Sequence, residues 1–495
     1  GRRVVWLITP RLAHTAIIRR REGNRMSSST TPMLSDSALR SDEIPDGYLS
    51  LDEKVLTYIL HDSAPQQINL VDCVGASAES CTLVVSFMPI AGGGGWGCRK
   101  LRREFVVQRF LCHTRTQASK WAEALWRVVN GMAPDGAAPP RKRWLILINP
   151  VSGPGNAVRI FGQVRPVLAA NRVALTELVT THAGHASEIA AGINLDDVDG
   201  IVCVGGDGLL HELVNGLMVR PDASAAVAQL HLGVLPGGSA NSLCTSLVKA
   251  AGEPIGPMSS AYLLCRGAPQ PIDLLRVAQP SRPELYGFLS LEWAMASDLD
   301  LGSEHLRWMG DARFDVYALW RILTLRQYPG SLRLRPKGSQ EWLTMEGPFI
   351  GLWALNTRWL TSTVQLGPRA EFDDGCLDLV IVRNAGRIAL LLTFLDLESG
   401  QHADASCVEY IKVEELELFP LPRTEADPGM VAIDGELVDF ATTRVSVLPS
   451  KLTLLGGRVR EDDDSGGPPR KRQCAGPSSA SAASVTLEPV SPPKR

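Results

Sequence analysis

Three short loops of this sequence carry the small and polar residues from which phosphate-holding turns are made, and each directly follows an apolar run. The first, NPVSGPGNA at residues 149–157, comes after WLILI. Gly153 and Gly155 permit a tight turn there, and the backbone N–H groups that open the following helix can cradle phosphate. It is not a Walker loop, since G-x-x-x-x-G-K-S/T is absent. The second, GGDGLLHELVNG at residues 205–216, sets Asp207 between glycines at the end of another apolar run. In the helix that it opens, Leu209, Leu210, Leu213, Leu217 and Met218 form the buried stripe. Gly208, Glu212, Asn215 and Gly216 share the opposite stripe, which should face the crevice beyond the strand ends where open parallel sheets take ligands. Locally, Asp207 reads equally as the N-cap of its own helix. The third loop, PGGSANSL at residues 236–243, repeats the arrangement after a further strand. Three such turns at the carboxyl ends of three strands describe a polyphosphate site with Asp207 at its mouth.

The elements that must position these loops alternate apolar strands with amphipathic helices, the signature of a parallel sheet covered on both faces. WLILIN, residues 175–180, GIVCV and LHLGVL read as four strands. Helices fit at 157–170, bent or restarted near Pro166, and at 186–193, 208–219 and 241–248. From about residue 271 the chain turns strand-rich, with CLDLVIV, YIKVEELELF and RVSVLPSKLTLL separated by turn residues. That pattern suggests an antiparallel sandwich, interrupted by one helical stretch around 307–327. Residues 46–131 form a module of short strands that ends in TQASKWAEALWRVVNG, where Trp121, Leu125 and Val128 share a helical face. Its order resembles a pleckstrin-homology-like domain, and GGGGWG within it reads as a flexible loop. The domains expected are therefore a leader or disordered segment at 1–45, the module at 46–131 and a linker at 132–142. An α/β lobe at 143–270, a β-rich lobe at 271–457 and a disordered tail at 458–495 follow.

The three loops, in this order and spacing, resemble the catalytic domain shared by diacylglycerol kinases, sphingosine kinases and ceramide kinase, whose nucleotide lobe is phosphofructokinase-like. Within that superfamily, SLEWAMASDLDLGSEHLRWMGDARF at 290–314 resembles the sphingosine kinases in particular. The resemblance implies ATP and Mg²⁺ as cofactors and a β-sandwich that binds lipid. It implies transfer of the γ-phosphate of ATP to the primary hydroxyl of sphingosine or a related sphingoid base, with Asp207 as the base that accepts the hydroxyl proton. The nucleotide would be lined by Asn149, Pro150, Val151, Thr180, Thr181, His182, Ala183, Gly184, Glu212, Gly238, Ser239 and Ala240. Arg307 and Arg313 would contact its phosphates, a role that suits the planar guanidinium fork. Asp434, Gly435 and Glu436 would return to it from the second lobe; locally that Asp-Gly also reads as a hairpin turn. Gly205, Gly206, Asp207, Gly208 and Asp300 would hold the substrate, with Asp300 pairing the sphingoid ammonium that diacylglycerol and ceramide lack. The chain departs from the common form at Pro154 and Asn156, where lysine is usual in the first loop, and at Ala240, where GSGN is usual. The readings that compete are a ceramide or diacylglycerol kinase and a catalytically silent lipid-binding scaffold.

Bulk properties bound the rest. At 495 residues, 45% hydrophobic and 21% charged, the chain needs two or three cores. A net charge of -3 gives no pull toward nucleic acid. Ten cysteines without C-x-x-C pairs read as reduced thiols of a cytoplasmic protein. No apolar run reaches the roughly 18 residues that cross a bilayer, so peripheral membrane association is expected. RFDVYALWRILTLRQY, from Arg313 to Tyr328, is a basic amphipathic stretch suited to lobe packing, a membrane surface or a calmodulin-like partner. PPRKRQ in the tail is a nuclear-import candidate, and residues 1–25, ahead of Met26, are assigned no function. His182 and His185 lack a further ligand pattern, and no metal site is expected in the protein itself.

Overall fold

The computed structural model describes residues 40–60, 63–92, 100–133, 141–153, 155–238, 241–309 and 312–459. The leader, most of GGGGWG, Ser239, Ala240 and the tail with PPRKRQ lie outside the described residues.

The first module opens with an antiparallel sheet of β1 (Arg40–Ile44), β2 (Gly47–Leu51), β3 (Val55–Leu60) and β4 (Gln66–Asn69). It continues with β5 (Cys73–Glu79), β6 (Thr82–Phe87), β7 (Ile90–Ala91), β8 (Arg102–Arg103) and β9 (Val106–Leu111), of which β5, β6 and β9 form a second antiparallel sheet. Helix α1 (Arg115–Val129) closes it, capped by Thr114, whose hydroxyl accepts from the Gln117 N–H. Trp121 is fully buried among Leu49, Leu56, Leu83 and Phe110, and its Nε1 donates to Asp42 at 2.9 Å. A strand ahead of residue 46, β1, also belongs to this sheet; it is polar, RSDEI, and shows no alternation in the sequence.

This module shares a core with the lobe that follows. Val74 and Met88 pack in one cluster with Trp144, Phe161 and Tyr262. Arg103 is buried, with Nε and Nη2 each donating at 2.7 Å to Glu253 and Nη1 to Asp72, and its guanidinium stacks 3.5 Å over Tyr262. Every charge of that group is matched, as burial requires.

The α/β lobe contains β10 (Arg143–Ile148), α2 (Ala157–Ala170), β11 (Ala174–Val179), α3 (His185–Gly192), β12 (Gly200–Gly205), α4 (Asp207–Met218), α5 (Ala223–Gln229), β13 (His231–Pro236), α6 (Ser242–Ala250) and α7 (Pro257–Arg266). The strands run parallel in the order β11-β10-β12-β13. Side chains alternate through the sheet: Leu145, Leu147, Ile201 and Cys203 meet α3, α4 and α5, whereas Trp144, Ile146, Val202 and Val204 meet α2 and α7. Helix α2 continues through Pro166 instead of restarting there. Pro166 and Gly162 are both on the exposed face, so water can take the carbonyl that proline leaves without a donor. The short helices α5 and α7 were not expected from the pattern.

The second lobe runs through β14 (Gln270–Gln279), β15 (Arg282–Gly287), β16 (Ser290–Ala294), α8 (Met295–Asp300), α9 (Ala312–Thr324), β17 (Gly330–Pro336), β18 (Leu343–Glu346), β19 (Gly351–Leu355), β20 (Leu377–Val382), α10 (Arg387–Leu395), β21 (Val408–Pro420), β22 (Val431–Ile433), β23 (Glu436–Val438) and β24 (Thr443–Leu454). A 3-10 helix over Glu304–Met309 and α9 replace the single expected stretch at 307–327, and α8 and α10 are additional. The long strand β24 joins the lobes: it pairs parallel with β13 and antiparallel with β14 and β21. Among the described residues no helix is long and apolar enough to cross a membrane.

Candidate active site

The loops after β10, β12 and β13 press their main chains together, and glycine is what allows it. A Cβ on Gly238 would lie 2.5 Å from the Gly206 Cα, and one on Gly153, at φ +54°, would lie 2.8 Å from the Gly237 carbonyl oxygen. The Gly206 N–H donates to Ser152 Oγ at 2.9 Å and the Gly237 N–H to the Gly205 carbonyl at 2.8 Å. Asn241 closes the third loop, accepting from the Gly238 N–H and donating to its carbonyl.

Asp207 is the first residue of α4, preceded by Gly206 as N-cap, and it does not cap its own helix. Its carboxylate instead accepts from the N–H groups of Ser242 at 2.7 Å and Leu243 at 3.3 Å, which open α6. Burial raises its pKa from 3.8 to about 6; the two backbone donors work against that rise, and the charge of Asp434 adds to it. A carboxylate poised there is ionised at neutral pH yet still basic.

Asp434 (φ +52°) and Gly435 (φ +82°) form the two-residue turn between β22 and β23, as the local pattern suggested. The Asp434 carboxylate is buried and accepts from the N–H groups of Phe288, Leu289 and Ser290 and from His211 Nδ1 at 2.9 Å. Burial opposes charge on His211, but Asp434 outweighs it and holds the imidazole above its ordinary pKa. This turn thus locks α4, and Asp207 with it, to the second lobe. Of the stripe expected to face the crevice, Gly208 and Glu212 line the cavity. Asn215 instead bonds both main-chain groups of Tyr286, and Gly216 packs against the Ser187 backbone of α3. Those two positions are spent on packing because α4 touches β15 and α3 as well as the cavity.

A cavity of about 950 Å³ joins the loops to the second lobe. Asn149, Val151, Ser152, Gly206, Asp207 and Gly238 line it at the loops, and Asp300, Arg313, Asp434, Gly435 and Glu436 belong to its wall. Leu299, Ala318, Ile322, Val380, Leu390 and Phe394 supply an apolar stretch between the sheet and helices α9 and α10. Arg313 is 6% exposed, and among the described residues its Nη1 has no hydrogen-bond partner, which leaves a buried cation on the cavity wall in want of an anion. The two aspartates of SDLDL differ: Asp298 is an internal counterion, 3.0 Å from Arg321, whereas Asp300 lines the cavity.

Pro150, Gly205 and the whole loop of Thr180, Thr181, His182, Ala183 and Gly184 stand off the cavity wall. That loop follows β11, the edge strand beyond β10, so it opens beside the cavity and not into it. Thr180 is buried against the Ile148 carbonyl, and His182 stacks on His185. The Arg307 side chain, Ser239 and Ala240 lie outside the described residues. Two site residues escaped sequence reasoning: His211, which looked like an ordinary helical position, and Glu292, a lone acid in the apolar strand SLEWA.

Comparison with known proteins places this geometry. Residues 143–277 match the diacylglycerol kinase catalytic domain, and residues 299–456 match the YegS C-terminal NAD kinase beta sandwich-like domain. The crystal structure of a diacylglycerol kinase candidate from Bacillus anthracis str. Sterne covers 65% of this chain and 98% of its own, with a TM-score of 0.50 at 20% identity, and so shares the fold. The class is therefore that of two-lobed lipid kinases that use ATP. Sphingosine kinase 1 of Arabidopsis thaliana is 30% identical over 385 residues, 70% of this chain and 78% of that protein. Sphingosine kinase 1 of Homo sapiens is 32% identical over 365 residues, 66% of this chain and 94% of that protein. The chain belongs to the sphingosine kinase family.

Proposed function

We propose that this lipid kinase transfers the γ-phosphate of ATP to the primary hydroxyl of sphingosine or a related sphingoid base. The observation that carries this is a single cavity in which glycine loops, a raised-pKa Asp207 and an apolar stretch meet beside a carboxylate, Asp300. A substrate with an apolar chain, a cation and a hydroxyl fits that sequence of environments. Asp207 accepts the hydroxyl proton as the oxygen attacks phosphorus. Asp300 pairs the ammonium and so fixes which hydroxyl points at Asp207.

The nucleotide phosphates fit the groups present: close-packed glycine loops with no side chains to hold them off, the buried Arg313, and Arg307 by family resemblance. The base and ribose would extend toward the loop at 180–184. Mg²⁺ brought with the nucleotide would neutralise charge on the phosphates, and Glu436, whose Oε1 faces Gly208 at the start of α4, is the carboxylate placed to hold it.

Access to a membrane-borne lipid is proposed through α9 and α10, which pack side by side and line the cavity with their inner faces. Their outer faces expose Leu319, Trp320, Leu323, Ile388, Leu392 and Leu395, an apolar patch suited to reversible docking on a bilayer. Because α9 already packs on both sides of that cavity wall, a calmodulin-like partner for 313–328 is the less favoured use of the helix. The two larger antiparallel sheets and the closing helix support the pleckstrin-homology-like reading of the module at 46–131, which would make it a second docking element. A panel of sphingosine, ceramide and diacylglycerol with radiolabelled ATP tests the reading. Sphingosine should be the favoured acceptor, and preference for either uncharged lipid would overturn it.

A further inference from the structure

Glu292 stands in the middle of β16, where its neighbours Leu291 and Trp293 are completely buried in the sandwich core. Its own side chain points the other way, onto the cavity wall, with Ser290 two residues before it on the same face. It is 3% exposed, and among the described residues its one hydrogen bond is from Ser290 Oγ to Oε1, at 3.1 Å. Asp300, at the end of α8, lines the same cavity and lies close enough for its charge to act on Glu292. A buried acid with a single weak neutral partner is an expensive residue for the centre of a strand. A valine or alanine would pack there at no such cost.

We infer that Glu292 and Asp300 together form a two-carboxylate receptor for the substrate ammonium, so that Glu292 is a second residue determining specificity for an amine-bearing lipid. This rests on the reading that the acceptor is a sphingoid base. An ammonium carries three donors and can reach both carboxyl groups at once. Before the amine arrives, burial and then the charge of Asp300 keep Glu292 protonated well above the ordinary glutamate range, with Asp434 adding to the effect. Among the described residues, the groups that act on it are Asp300 from α8, Asp434 from the turn after β22 with His211 of α4 behind it, and Ser290 on its own strand; Arg313 of α9 lines the same cavity. Amine binding then ionises Glu292: the carboxylic acid gives one proton to solvent and the carboxylate so formed pairs with the ammonium. No other bond changes.

The proton gives the test. A water-soluble short-chain sphingoid base is titrated calorimetrically into the full chain in buffers of different ionisation enthalpy at pH 8, where Asp207 is already ionised. Wild type should release more protons per amine bound than Glu292→Gln, which keeps the shape of the side chain but has no acidic proton to give. The same variant should lose about tenfold or more in kcat/KM for sphingosine, with binding of a fluorescent ATP analogue retained as the check of the fold. Equal proton release in both proteins, or sphingosine kinetics within twofold of wild type, would overturn the role of Glu292. Failure of wild type to phosphorylate sphingosine at all would instead sink the acceptor assignment.

Discussion

The two ends of the cavity are built by different means. At the loops the wall is main chain: Gly153 and Gly238 lie so close to the neighbouring loops that a single carbon added to either would collide with backbone. At the far end the wall is side chain, with Leu299, Ile322, Leu390 and Phe394 supplying surface and Asp300 and Glu292 supplying carboxyl groups. Main-chain donors are fixed by the turn that holds them and cannot be retuned by substitution, whereas a side-chain wall can be enlarged or recharged one residue at a time. The difference suits a kinase whose phosphate donor is constant and whose lipid acceptor sets its place in metabolism.

The comparison can be broken first at the residue between the two ends. Asp207→Asn should still bind ATP but lose about a hundredfold to ten-thousandfold in turnover, since an amide cannot accept the hydroxyl proton. The same change should not harm the fold. The folded pKa of Asp207 is raised, so its ionised form opposes folding above about pH 6 and not below its unfolded value. At pH 8 the variant should therefore gain on the order of 1 to 3 kcal/mol in urea unfolding, less what is lost in the bonds to Ser242 and Leu243. A destabilised, inactive variant would mean that Asp207 is a cap for α6 and nothing more.

Next comes the charged part of the far end. Asp300→Asn should cost at least about tenfold in kcat/KM for sphingosine while ATP affinity stays within about twofold, because a partly buried charge-assisted pair is lost. An N-acylated, uncharged analogue should be used poorly by both proteins and show little further loss. At the loops, Gly238→Ala should weaken ATP binding by about 1 to 3 kcal/mol, the range for forcing a methyl into packed surroundings, and alter sphingosine binding far less. The smallest effect is expected at the apolar wall. Ile322→Ala should leave ATP kinetics unchanged and shift preference toward bulkier or longer chains by a few-fold, read from competition between sphingoid bases of different length. Equal sensitivity of ATP binding to Gly238→Ala and Ile322→Ala would erase the distinction between the ends.

That distinction also governs what could be read from sequence. The loop end was legible because a backbone-built site needs glycines at fixed places, and those stand in the text of the chain beside Asp207. The strands β10 to β13 and helices α2, α3, α4 and α6 were legible from their periodicity. Side-chain sites leave a weaker trace. Glu292 is one acid in SLEWA, and His211 one residue of a helix; each becomes informative only when the fold brings Asp300 or Asp434 to it. The helices α5 and α8 span too few turns for a clear period, α7 is buried on every face from Ser259 to Cys265 and so shows no stripe, and α10, RIALLLTFL, is nearly continuous in apolar residues. Asp207 itself was half read: its place was evident, but the helix whose N–H groups it accepts is α6, thirty-odd residues on, and not its own.

The most direct test of the account is the pH dependence of single-turnover phosphoryl transfer from ATP to sphingosine. If Asp207 is the base, the wild-type rate should climb as pH rises through about 6 and level off above it, while Asp207→Asn should stay low and flat across the same range. A wild-type rate indifferent to pH between 5 and 8, or an asparagine variant that transfers phosphate at a near-wild-type rate, would contradict it.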